Sequence, residues 1–116
     1  MLTAQWFVGI DWATDAHDVC IVDRAGTVCE QFDVNHTAVA LQTFMDALLR
    51  RADGDPARIA IGIEVPRGAL VELCVERGFT VHAINPKQVD RFRDRFTVAG
   101  AKDDPRDAHV LADAVR

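Results

Sequence analysis

The chain contains no serine and no tyrosine in its 116 residues. A mechanism that uses a seryl or tyrosyl nucleophile must find that residue elsewhere. Cysteine is scarce as well. Cys20, Cys29 and Cys74 are odd in number and show no CxxC spacing, which excludes a disulfide framework and the usual zinc sites. A reduced, intracellular protein with structural thiols is the expected setting. No apolar run reaches the roughly 18 residues of a membrane span. The start, Met1-Leu2-Thr3-Ala4-Gln5, lacks the basic and long apolar regions of a signal peptide. A cytoplasmic location without membrane contact is therefore expected. Strong positive charge is missing too, since the net charge is −5. That weighs against indiscriminate binding of polyanions. The charge is uneven, however. Residues 1–33 hold six acids and one base, whereas residues 87–116 hold six acids and seven bases. A polyanion meeting only the later surface remains compatible with this pattern.

What is present is an ordinary globular composition, 49% hydrophobic and 27% charged. It predicts one domain over residues 1–116. Trp6 to Asp11 reads as a central strand, apolar on both faces. Asp18 to Asp23 and Thr27 to Asp33 read as two more strands, joined by the hairpin loop Arg24-Ala25-Gly26. Only Trp12 to His17 separates the first two strands. That is too short for a parallel crossover, so strands 1–3 form an antiparallel meander. Leu41, Phe44, Met45, Leu48 and Leu49 then recur at helical spacing, with Asn35 or Thr37 as N-cap. Arg58 to Glu64 is a buried strand. Pro66 opens a helix through Arg77, ended by Gly78. Phe79 to Ile84 is a fifth strand. Asn85-Pro86 starts a helix to about Phe96, Thr97 to Lys102 is a loop, and Asp104-Pro105 starts a last helix still running at Arg116. The expected fold is α/β: one mixed five-stranded sheet with an antiparallel meander, parallel crossovers and helices on its faces. That order suits ribonuclease H-like nucleases and also one lobe of actin-like ATPases.

The acids discriminate further. Asp11 ends the first strand and Glu64 the fourth, and ligands of open α/β sheets gather outside the carboxyl ends of strands. On the last helix Ala108, Leu111, Ala112 and Val115 form an apolar stripe. Asp104 sits on that stripe and Asp107 borders it, while Asp103, Arg106, His109 and Asp113 point away. An N-cap role accounts for Asp104 but not for Asp107. Unpaired buried carboxylates are costly. Four inward carboxylates, Asp11, Glu64, Asp104 and Asp107, therefore suggest oxygen ligation of Mg²⁺ or Mn²⁺. Such sites serve phosphodiester displacement.

The strings Val8-Gly9-Ile10-Asp11, Ile63-Glu64, Ile84-Asn85-Pro86 and Lys102-Asp103-Asp104-Pro105-Arg106-Asp107-Ala108 resemble the N-terminal domain of DEDD transposases of the insertion sequence 110 family. Piv-type DNA invertases are among that family's relatives. The resemblance spans essentially the whole chain. Its most specific part is the last string, a Lys-Thr-Asp-x-x-Asp-Ala pattern in the family, here with Asp103 in place of Thr. After Glu64 the chain has Val65-Pro66-Arg67-Gly68 where the family favours Ala-Thr-Gly. The resemblance implies a RuvC-like, ribonuclease H-like fold. It also implies catalytic, Mg²⁺-binding roles for Asp11, Glu64, Asp104 and Asp107, and DNA cleavage and strand transfer in transposition. Family members are longer, and a second catalytic domain supplies a serine that attacks DNA. The 116 residues would thus be a fragment holding the metal half, not competent alone for full recombination. A structured guide RNA in some members, and a homo-oligomer of the full-length protein, are further implications.

Lys87, Arg91 and Arg95 share a helical face opposite Val89, Phe92 and Phe96. They are candidate DNA-backbone contacts, although the interleaved Asp90 and Asp94 suit a solvated face equally well. Arg67 and Lys102, next to the acids, are candidates for holding a phosphate. Trp12 is read as a core cover sooner than a base-stacking residue, and His17 as a loop or packing residue. Two competing functions remain. An actin-like ATPase or sugar kinase lobe needs a Gly-rich turn after its first acidic strand, and Asp11-Trp12-Ala13-Thr14-Asp15 has none. A non-catalytic ribonuclease H-like binding module does not require the four intact acids.

Overall fold

The first strand sets the frame for everything around it. In β1 (Trp6–Asp11) the residues Phe7 to Ile10 are all buried, because elements pack on both faces of this strand. A computed structural model of the chain describes residues 4–84 and 104–116, with the backbone alone for 104–106. The expected helix from Asn85 to Phe96 and the loop from Thr97 to Lys102 lie outside the described residues. β2 (Ala16–Asp23) and β3 (Val28–Asn35) complete the antiparallel meander. β4 (Ile59–Ile63) pairs parallel with β1, and β5 (Thr80–Ala83) parallel with β4. The sheet order is β3-β2-β1-β4-β5, the mixed five-stranded arrangement expected from the pattern.

Helix α1 (Ala38–Arg51) starts at Thr37, whose hydroxyl accepts from the Ala40 N–H at 3.2 Å. This settles the N-cap in favour of Thr37 over Asn35. Leu41, Phe44, Met45 and Leu48 are its buried positions. They join Leu70, Val71 and Cys74 of α2 (Ala69–Glu76) over one face of the sheet, with Val8, Ile10, Val19, Ile21, Ile61 and Ile63 beneath. The other face carries α3 (Asp104–Val115), whose Ala108 and Ala112 pack on Phe7, Cys20, Val22 and Ala60. Ile84 meets Val110 and Leu111 beside them.

Several boundaries differ from the sequence reading, and two of the differences have a clear local cause. α2 begins at Ala69, three residues after Pro66. Glu64 to Arg67 instead make a tight bend, closed by the Arg67 N–H donating to the Val65 carbonyl at 2.9 Å. Proline disfavours helical backbone at the residue before it, and the chain enters α2 through Gly68 at φ 103°, a conformation that favours glycine. β2 begins two residues before Asp18, because His17 packs inward with Val19 and Ile21 instead of lying in the loop.

Two of the three cysteines are the buried structural thiols that the sequence suggests, and Cys29 is not. Cys20 and Cys74 are buried and Cys29 is exposed, and all three are free. Burial pushes the Cys20 thiol up to about 11 and the Cys74 thiol up to about 12. The thiolate is the reactive form. A thiol-disulfide reagent at pH 8 should therefore label Cys29 alone in the native protein and all three cysteines in denaturant. Fast native labelling of two thiols would contradict this packing.

Candidate active site at the carboxyl edge of the sheet

Two glycines determine where the acids lie. Gly9 of β1 and Gly62 of β4 are register partners. A Cβ on Gly9 would stand 1.9 Å from the Ala108 carbonyl oxygen and 2.3 Å from the Ala112 nitrogen. A Cβ on Gly62 would stand 2.7 Å from Val115 Cγ1 and 2.8 Å from the Leu111 carbonyl oxygen. The helix backbone thus rests directly on the two central strands. Side chains alternate along a strand, so Asp11 shares the α3-facing side with Gly9, and Glu64 shares it with Gly62. The last register pair is Ile10 with Ile63. The next step along each strand is Asp11 on one and Glu64 on the other.

The direction of α3 follows from its far end. The Arg116 guanidinium donates to the Arg24 carbonyl at 3.2 Å, next to Asp23, which pairs with Trp6 at the start of β1. α3 therefore runs antiparallel to β1. Its twelve residues span roughly 18 Å, close to the roughly 20 Å of a six-residue strand. Its first turn, which includes Asp104 and Asp107, falls at the level of Asp11. The fold brings the backbones of all four sequence-selected acids to one edge. Asp11, Glu64 and Asp107 are half-buried there. Their oxygen donors suit a hard divalent cation. Among the described residues, no three Asp, Glu, His or Cys side chains come together closely enough to hold a metal ion. The Asp104 side chain lies outside the described residues.

A further acid belongs to this edge and escaped the sequence reading. Asp18 is the cross-strand partner of Asp11 and faces the same side, half-buried. Alternation from Cys20 and Val22 points to it once the hairpin register is known. Arg67 is exposed in the bend directly after Glu64. Lys87, Arg91, Arg95 and Lys102 lie outside the described residues. On α3, Val110 is buried against Ile84, a contact the single apolar stripe did not include. His109 is half-buried, and Asp113 pairs with Arg116 at 2.7 Å.

The turn after Asp11 has its own supports on the opposite face. Trp12 is 41% exposed, so it does not cover the core. Its ring lies 5.5 Å from that of His17 and 6.0 Å from that of His36. His17 is fully buried. The Ala13 N–H donates to His17 Nδ1 at 3.1 Å, and His17 Nε2 lies 2.8 Å from His36 Nδ1. Burial first, and the facing His36 second, hold His17 below the ordinary histidine pKa. The folded state thus binds a proton less readily than the unfolded chain, whose histidine titrates near about 6.5. This contribution to stability is complete above that pH and is lost as pH falls towards the lowered folded value. The urea midpoint should drop as pH falls below about 6.5, with a slope of at most about 1.4 kcal/mol per pH unit from this residue. His17→Gln should flatten that part of the profile. An unchanged profile would assign the acid sensitivity to other groups.

Comparison with known proteins identifies the family. Residues 8–116 match the family model described as Transposase, that of the DEDD enzymes of insertion sequence 110. The chain belongs to this transposase family. It is 47% identical over 113 residues to the protein y4uE of Sinorhizobium fredii, named as a transposase. It is 38% identical over 110 residues to the mini-circle protein for IS117 of Streptomyces coelicolor, also named as a transposase. Each match covers 95% of this chain, but only 31% and 27% of those two relatives. The transposase domain thus spans about a third or less of their length. Among solved structures it is similar to T. thermophilus RuvC in complex with Holliday junction substrate. The TM-score is 0.60 at 15% identity, covering 93% of this chain and 90% of that one. The transposase chain therefore has the RuvC-like, ribonuclease H-like fold. None of its described helices is long and apolar enough to cross a membrane.

Proposed function

We propose that the chain is the metal-binding part of the catalytic centre of a DNA-cleaving transposase, and that Asp11, Glu64, Asp104 and Asp107 hold Mg²⁺ or Mn²⁺. The observation that carries this reading is the Gly9–Gly62 seat. It sets α3 on the two central strands, with Asp107 in the first turn of the helix, Asp11 at the end of β1 and Glu64 in the bend just after β4. When bound, such a metal would polarise a phosphodiester and stabilise the charge that develops on its oxygens. The chain's own residues do the rest. β1 and β4 fix the spacing of Asp11 and Glu64, and half-burial of Asp11, Glu64 and Asp107 keeps their carboxylates oriented. Arg67, exposed beside Glu64, offers a bidentate donor to a phosphate. Lys102 and the face of Lys87, Arg91 and Arg95 extend the proposed contact along the DNA backbone.

The chain has no seryl or tyrosyl hydroxyl. A nucleophile of that type would come from the part of the longer relatives that this chain does not span, so the fragment alone would not exchange strands. A homo-oligomer, a guide RNA and a cytoplasmic setting belong to the same proposal for the full-length protein. The test is a calorimetric titration with Mn²⁺, then with DNA and with ATP. Divalent binding should weaken at least tenfold in Asp11→Asn, DNA should bind in a salt-sensitive way, and ATP should not bind. Absence of divalent binding, or saturable ATP binding at this edge, would overturn the proposal.

A further inference from the structure

His17 is the one buried polar or charged side chain among the described residues, and nothing in the proposed chemistry uses it. Its hydrogen bonds determine its protonation state. Nδ1 accepts from the Ala13 backbone N–H, so Nδ1 carries no proton. The neutral ring then carries its proton on Nε2 and donates it to His36 Nδ1 at 2.8 Å. His36, its Nδ1 occupied as an acceptor, carries its own proton on Nε2. The backbone N–H of His36 donates in turn to the Asp15 carbonyl at 2.8 Å. Both ends of the segment Ala13 to Asp15 are thereby tied to one histidine pair, and Trp12 lies against the two rings. Asp11 directly precedes this segment.

We infer that the His17–His36 pair is a positioning device for the candidate site, fixing the turn after β1 so that Asp11 is held in one orientation at the carboxyl edge. This rests on the proposed role of Asp11 as a metal ligand. The device works through a single tautomer. Removing the acceptor on His36 frees the His17 ring to turn or to move its proton to Nδ1, and either change breaks the bond from Ala13. Neither imidazole needs to touch metal or DNA, since both lie on the α1 side of the sheet. The turn contains no proline to fix its backbone, and the two tethers supply the constraint.

The experiment compares the wild-type chain with His36→Ala and His36→Asn. The asparagine keeps an acceptor near the position of Nδ1 and is the rescue variant. His36 is only half-buried, so both variants are expected to fold, with unfolding midpoints to confirm it. Nitrogen-15 NMR at pH 7.5 should find His17 protonated on Nε2 and bare on Nδ1. Amide exchange at Ala13 should quicken at least tenfold in His36→Ala and return to within threefold of wild type in His36→Asn. Mn²⁺ affinity should follow the same order, falling about tenfold and then recovering. The opposite His17 tautomer, or unchanged Ala13 exchange, would overturn the tether. Faster exchange with unchanged Mn²⁺ affinity would make the pair purely structural and overturn the positioning role. A wild-type chain that takes up no Mn²⁺ would overturn the metal reading and the positioning role with it, while the exchange data would still decide the tether.

Discussion

Gly9→Ala should cost about 3 kcal/mol of stability, among the largest effects of any single methyl group added to this chain. Added methylene groups in a packed core usually cost about 1–3 kcal/mol, because side chains move aside. At Gly9 the obstacles are backbone atoms, with the Ala108 oxygen 1.9 Å and the Ala112 nitrogen 2.3 Å from the new carbon. No rotamer change relieves such a clash. Either α3 lifts from the sheet or β1 shifts within it. The gain from a stiffer unfolded chain, about 0.4–1 kcal/mol, is too small to offset this. Gly62→Ala should cost less, about 1–2 kcal/mol, because one of its close neighbours is the Val115 side chain at 2.7 Å, which can rotate. Urea denaturation of the two variants should give that order. A Gly9→Ala chain as stable as wild type would mean that α3 does not sit on β1 as described. The proposed site would then lose the support of α3.

The same two glycines show how far the sequence alone reaches. Trp6–Asp11 is legible as a strand because its apolar run is bounded by an acid and followed by a turn, and the observed strand has those bounds. Thr37 is legible as a cap because a hydroxyl stands just ahead of the helical repeat. Ala108, Leu111 and Ala112 are legible as a stripe, and they are buried. These are local signals. What stayed hidden depends on which strand lies beside which. The place of Asp18 opposite Asp11 needs the hairpin register. The burial of Val110 needs Ile84 at the neighbouring strand end. The seat for α3 needs Gly9 and Gly62 to be register partners 53 positions apart in the chain. The start of α2 failed for a different reason. Pro66 suits the first turn of a helix, but it equally suits a bend, and Gly68 at positive φ decides for the bend. His17 was legible only as a loop or packing residue, and its alternation with Val19 and Ile21 in β2 decides for packing.

Divalent metal should raise the stability of the chain, and Asp107 should carry much of that rise. Asp11, Glu64 and Asp107 are half-buried, and charges there are less screened than in water. A cation that binds only the folded state stabilises it by mass action. The gain is about 2.7 kcal/mol at a hundredfold excess over its dissociation constant. For a domain of this size that corresponds to a rise in Tm of about 10 °C. Asp107→Asn keeps the side chain's shape and deletes its charge. The variant's metal-induced rise in Tm should therefore fall by half or more. Glu76→Gln, exposed on α2 on the far face of the sheet, should leave the full rise in place. Asp103→Asn tests the phase of the helix, because the apolar stripe of α3 predicts that this residue points away from the site. Loss of the metal response in Asp103→Asn with retention in Asp107→Asn would rotate the assignment by one residue and remove Asp107 from the site. Equal rises in all three variants would place the cation elsewhere on the chain, away from the edge that α3 and the two central strands share.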